Sequence, residues 1–172
     1  MMESWIQTFT GRKFYPLDPD PDAIDIRDIA HSLSLHCRFN GHCRTFYSVA
    51  DHSVRVSRTL YAEDALWGLL HDASEAYLSD VPKPLKKDLP EYQAAEEHLM
   101  RVIAERFRLP WPIPETVHRV DRQLLMTERR DLVGEPIGDW GIDATPLPER
   151  IVPLDPPDAE RAFLARFDQL IA

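Results

Sequence analysis

Apolar residues recur at spacings of three and four along most of the chain, the period of helices with one buried face. Ile24, Ile26, Ile29, Leu33 and Leu35 predict a helix over residues 22–36, with Asp22 as its cap. Val49, Val56 and Leu60 predict a second over 48–60, opened by Ser48 as N-cap with an acid, Asp51, three residues later. Leu66, Leu69, Leu70, Ala73, Ala76 and Tyr77 predict a third that ends near Asp80. Tyr92, Leu99, Ile103 and Phe107 mark a fourth over 91–108, and Val117, Val120, Leu124 and Leu132 a fifth over 115–133. Ala162, Phe163, Phe167 and Leu170 mark a last one that starts at Pro157-Asp158.

Proline punctuates the connections. Val81-Pro-Lys-Pro reads as extended and Leu109-Pro-Trp-Pro-Ile-Pro as a rigid linker. Asn40-Gly41 signals a turn. Residues 134–156, rich in Gly, Pro and Asp, read as loop. Near the start, Trp5, Ile6 and Phe9 read as an apolar lid. Phe14, Tyr15 and Leu17 suggest a short strand, with Ile151-Val152-Pro-Leu154 as its partner. The expected architecture is a single all-α domain over residues 1–172. It has roughly six or seven helices and room for one small β hairpin.

Composition narrows the partners. A chain of 172 residues suits one domain with a real core. The net charge of −9 argues against a broad basic surface for nucleic acid, but not against a small anion held by a local cation. Cys37 and Cys43 fit neither a disulfide scaffold nor a CxxC module, and read as reduced thiols of a cytoplasmic protein. No stretch approaches a membrane span, and the acidic start Met1-Met2-Glu3 lacks the positive charge of a leader.

The chemistry gathers in the third helical segment, which carries His71, Asp72, Glu75 and Asp80 within its apolar pattern. Glu75 follows His71 by four positions and Asp72 by three, so the three share one side of a helix. Such groups are costly in an apolar setting unless neutralised, and a divalent cation is the simplest neutraliser. His52 falls on the apolar face of the preceding helix, which an antiparallel pairing brings to His71. Asp121 sits between Val120 and Leu124: metal-bound or paired if buried, facing Arg119 or Arg122 if not. Two imidazoles and two carboxylates suit Mn²⁺, Fe²⁺, Co²⁺ or Zn²⁺, with positions left for water and substrate. Such a cation offers hydroxide near neutral pH, and Glu75 is placed to orient the water or move its proton. Arg38, Arg44 and Lys83 are available for phosphoryl oxygens.

Other polar groups read as bland. Residues 37–48 mix two arginines with three aromatics, either to grip phosphate and stack a base or simply as a surface loop. His31 and His36 read as core or rim histidines, and His42 and His118 as weaker ligand candidates. Glu128 and Asp131, interleaved with Arg129 and Arg130, read as ion-paired surface.

The order His52, His71-Asp72, Asp121 resembles the HD-domain metal-dependent phosphohydrolases, over roughly residues 30–130. His71-Asp72-Ala-Ser-Glu75-Ala-Tyr-Leu-Ser-Asp80-Val-Pro-Lys-Pro is similar to the matching stretch of the bacterial HD-domain 5′-deoxynucleotidases. That resemblance implies Glu75 in catalysis, Asp80 as a substrate contact at the same centre, and Arg38-Phe39 as the pair holding the nucleotide. Small HD proteins of bacteria and phages, including a dATP triphosphohydrolase, are similar as well. Two departures stand out. The gap from His52 to His71 is shorter than in the deoxynucleotidases. Phe39 stands about one residue from where they carry Trp. Both bear on base and sugar selectivity rather than on metal binding.

The resemblance thus implies an HD-domain bundle holding a divalent metal (Mn, Co, Fe, Zn or Ni, with Mg in reach). Its substrate would be a deoxynucleoside mono- or triphosphate, and a homodimer is compatible with it. Three other readings use the same residues. One is a non-catalytic nucleotide- or metal-binding module. Another is a cyclic-nucleotide phosphodiesterase, which would want further histidines. The third is a buried His71–Asp72 pair with a structural role only.

Overall fold

Side-chain caps set where the first helices begin. In the computed structural model, which describes residues 4–135 and 137–172, helix α1 spans Ile26–Leu35. Its cap is Asp25, whose carboxylate accepts the Arg27 N–H at 3.0 Å. Asp22, expected in that role, lies instead in a short 3₁₀ turn, Pro21–Ala23, capped by Asp20. Pro21 starts that separate turn and leaves the α-helix to the next aspartate. Helix α2 (Val49–Thr59) opens at Ser48, whose hydroxyl accepts the Asp51 N–H at 3.1 Å. The reading of Met1-Met2-Glu3, and the loop reading at position 136, lie outside the described residues.

The third predicted helix is not continuous. Helix α3 (Ala62–Leu70) stops before His71, and a four-residue helix α4 (Glu75–Leu78) follows a tight turn. Through the turn, N–H groups reach back three residues: Ala73 to Leu70 and Glu75 to Asp72, both at 3.0 Å. The His71 ring supplies the reason. Its Nδ1–H donates to the Gly68 carbonyl at 2.8 Å, taking the acceptor that the next α-helical turn would use. Such tightened winding is common where a helix carries functional groups.

Helix α5 (Lys83–Lys86) begins inside the stretch expected to be extended, Val81–Pro84. Pro82 precedes it and Pro84 occupies its first turn, where a missing donor costs nothing. Helices α6 (Pro90–Phe107), α7 (Glu115–Leu132) and α8 (Pro156–Ile171) match their predicted spans to within a residue or so. Strand β1 (Ile6–Gln7) pairs antiparallel with β2 (Lys13–Phe14), Ile6 opposite Phe14. The segment 151–154 is therefore not the partner of Phe14. Its backbone is held by side chains: Ile151 N–H donates to Asp131 at 3.0 Å and Leu154 N–H to Asp51 at 2.9 Å.

The fold is all-α, with the hairpin its one sheet among the described residues. Helix α2 is the hub, packed against α1, α3, α7 and α8. Leu33, Tyr47, Val54, Trp67, Leu124 and Phe163 are buried in one connected core. Phe14 joins it, stacked on Tyr77 at 4.0 Å, whereas Trp5, Ile6 and Phe9, expected as an apolar lid, are exposed rather than packed into the core. The α2–α3 contact is close enough to favour glycine at 68, since a Cβ there would stand 3.1 Å from the Ser57 Cα. Among the described residues no helix is long and apolar enough to cross a membrane.

Candidate metal centre

The α2–α3 pairing carries His52, in the first turns of α2, to His71 at the end of α3. Their rings are tilted, and the two Nε2 atoms stand 3.3 Å apart. Asp72 Oδ2 lies 3.3 Å from His71 Nε2 and 3.8 Å from His52 Nε2. Helix α7 adds Asp121, whose Oδ1 is 3.3 Å from His52 Nε2 and 4.0 Å from His71 Nε2. His52, His71 and Asp72 form a compact group able to hold a metal ion, and Asp121 borders it. His42 and His118 are exposed and outside that group. His31 is a rim histidine, stacked on Phe9 and paired with Glu160.

The donor set fits a cation. Each imidazole has its Nδ1–H engaged, His52 with Glu128 Oε1 at 2.6 Å and His71 with the Gly68 carbonyl at 2.8 Å. Both Nε2 lone pairs therefore face each other and two carboxylates. Ligands about 2.0–2.2 Å from one metal are separated by roughly 3 to 3.5 Å, close to most of the distances found here. Without a cation the centre must hold protons. Burial and Arg38 act to lower the His52 pKa, but Glu128 and Asp121 outweigh them and raise it to about 9. Burial would lift Asp72 and Asp121. Instead the facing histidines, joined by Arg38 at Asp72, hold both carboxyls well below the usual range.

Glu75 begins α4 and is buried, with Oε2 unpartnered among the described residues. Burial first, then Asp72 and Asp80, push its pKa well above the ordinary carboxyl value. Asp80 is half-buried just past α4. Lys83 is largely exposed, yet its ammonium comes within 3.8 Å of Asp121. Arg38 and Phe39 lie in a 3₁₀ turn (Arg38–Gly41) between α1 and α2, Phe39 with φ of 56°. Arg38 reaches the centre itself: Nη1 is 3.5 Å from Asp72, while Nε and Nη2 donate to Glu128 at 3.1 and 3.0 Å. Arg44 is exposed and its guanidinium lies 3.9 Å from Glu135, away from these contacts.

Two residues beside the centre are not legible as such in the sequence: Glu128, which reads as ion-paired surface, and Trp140. Glu128 is fully buried, not surface, and binds both His52 and Arg38. Its signal was its place two helical turns after Asp121, on the face of Val117 and Leu124. Trp140 lies 6.1 Å from the Phe39 ring, with the Arg129 guanidinium over it at 4.8 Å. A lone indole in a polar loop was the clue there.

The chain is 44% identical over 171 residues to the uncharacterized protein YfdR of Escherichia coli K12, covering 97% of this chain and 96% of YfdR. The chain belongs to the YfdR family. It is also 34% identical over 129 residues to an uncharacterized protein of Rhodobacter capsulatus, spanning 69% of this chain and 66% of that protein. No family model matches the chain. The names of these two relatives carry no activity.

Proposed function

We propose that this protein is a divalent-metal-dependent phosphohydrolase of the HD-domain type, acting on deoxynucleoside mono- or triphosphates. The observation that carries this reading is the convergence of His52 Nε2, His71 Nε2, Asp72 Oδ2 and Asp121 Oδ1 from three separate parts of the chain. These four side chains would hold a divalent cation, which would supply Lewis-acid activation of water near pH 7. Glu75, with a free buried oxygen and a raised pKa, orients the attacking water and takes or returns its proton. Lys83 and the Nη1 edge of Arg38 supply positive charge for phosphoryl oxygens. Phe39 and Trp140 offer ring faces to a base, and Asp80 offers an acceptor beside Glu75.

The test is metal-supplemented turnover of a nucleotide panel. The purified chain is loaded with Mn²⁺, Co²⁺, Fe²⁺, Zn²⁺, Ni²⁺ or Mg²⁺, and phosphate, pyrophosphate and triphosphate are read out separately. Release of phosphate identifies a monophosphatase, and release of triphosphate a triphosphohydrolase. Cation binding and nucleotide-dependent thermal stabilisation with no turnover would reassign the protein as a binding module.

A further inference from the structure

We infer that Glu128 is a positioning residue of the metal centre: it fixes His52 with Nδ1 protonated and Nε2 free, and it holds Arg38 off Asp72. The inference rests on the metal-centre reading above. One carboxylate serves two partners. Oε1 accepts from His52 Nδ1 at 2.6 Å, and Oε2 accepts from Arg38 Nε and Nη2 at 3.1 and 3.0 Å. The His52 ring is fully buried, and the one other nitrogen it has faces His71, Asp72 and Asp121. If Nδ1 lost its acceptor, the proton could move to Nε2 and block the lone pair that a cation needs.

Arg38 presents the second hazard. It is an obligate cation 3.5 Å from Asp72, a carboxylate the metal must share. Glu128 engages Arg38 through its Nε and Nη2 and leaves Nη1 in only that long contact. Without Glu128, the guanidinium would turn its full charge on Asp72 and compete with the cation. Helix α7 thus delivers both a direct ligand, Asp121, and the group that keeps two other ligands available. Mutating a carboxylate that orients a metal-bound imidazole in this way commonly costs about 10- to 100-fold in metal affinity.

The test compares the wild-type chain with Glu128→Gln, titrating Mn²⁺ alone and counting free Mn²⁺ by electron paramagnetic resonance. Side-chain nitrogen NMR of the cation-free proteins above pH 9, where His52 is neutral, reports its tautomer. Glu128→Gln should bind Mn²⁺ about 10- to 100-fold more weakly. A merely structural Glu128 would lower the melting temperature but leave the Mn²⁺ affinity of folded molecules and the His52 tautomer unchanged, and that result overturns the inference. If Glu128→Gln leaves Arg38 uncompensated and does not fold, Arg38→Met/Glu128→Met removes both buried charges together. That variant should lose the single Nδ1–H state of His52, and its retention overturns the inference. A wild-type chain that binds no Mn²⁺ overturns the metal centre and this inference together. Wild-type binding with equal affinity in Glu128→Gln overturns this inference alone.

Discussion

In the cation-free protein His52 should act as a buried proton store, and stability should show it. Its pKa rises from 6.5 in the unfolded chain to about 9, because Glu128 and Asp121 outweigh the opposing effects of burial and Arg38. A folded-state pKa above the unfolded one means that protonation favours folding. The stabilisation is complete below pH 6.5 and is lost as pH climbs through about 9. At about 1.4 kcal/mol per pH unit, that rise is worth about 3 kcal/mol, a large part of a typical domain's margin. The assay is urea unfolding at intervals from pH 6 to 9.5 in a chelating buffer, for wild type and His52→Gln. Glu75, whose pKa is also raised, contributes loss of the same sign, so the difference between the two proteins isolates His52. His36, whose pKa burial lowers, contributes with the opposite sign and is common to both proteins, so it cancels in the same difference. Saturating Mn²⁺ should reverse the trend, because the cation and the proton compete for Nε2. A wild-type minus His52→Gln difference that stays flat or grows with rising pH in chelator would refute the electrostatic account of the centre.

Three further outcomes are expected. Glu75→Gln should lose about 10²–10⁴-fold in turnover while binding Mn²⁺ as wild type does, and an undiminished rate would remove Glu75 from proton transfer. Gly68→Ala should destabilise by about 1–3 kcal/mol in urea unfolding, because its Cβ meets Ser57 backbone at 3.1 Å while only the Leu60 tip can move aside. Burial, with Cys37 adding to it, pushes the Cys43 thiol up to about 11, so its alkylation by iodoacetamide should be slow at pH 7.5 and climb steeply toward pH 10. Labelling of Cys43 as fast as in the unfolded chain would contradict its burial.

Local pattern carried the helices. Ser48 announced α2, and prolines marked the entries to α7 and α8 within a residue or two, whereas Val81-Pro-Lys-Pro reads as extended and hides the short helix α5. The juxtaposition of His52 with His71 was also legible, since two neighbouring helices in sequence have little choice but to pair. What went astray locally was decided by side chains competing for the backbone. His71 took the Gly68 carbonyl and broke the third helix. Asp131 and Asp51 took the N–H groups of 151–154 and left no strand there.

Residue order alone is enough to read an all-α chain with the ligand candidates His52, His71, Asp72 and Asp121. These follow from periodicities of three and four, which act over a single turn. Which charges are buried emerges only from long-range packing. Glu128, flanked by Arg129 and Arg130, looks solvated along the chain, yet its partners are His52 and Arg38, 76 and 90 residues away. An isolated carboxylate could not stay charged in that interior, so its burial depends on a cation and an imidazole that no local pattern links to it.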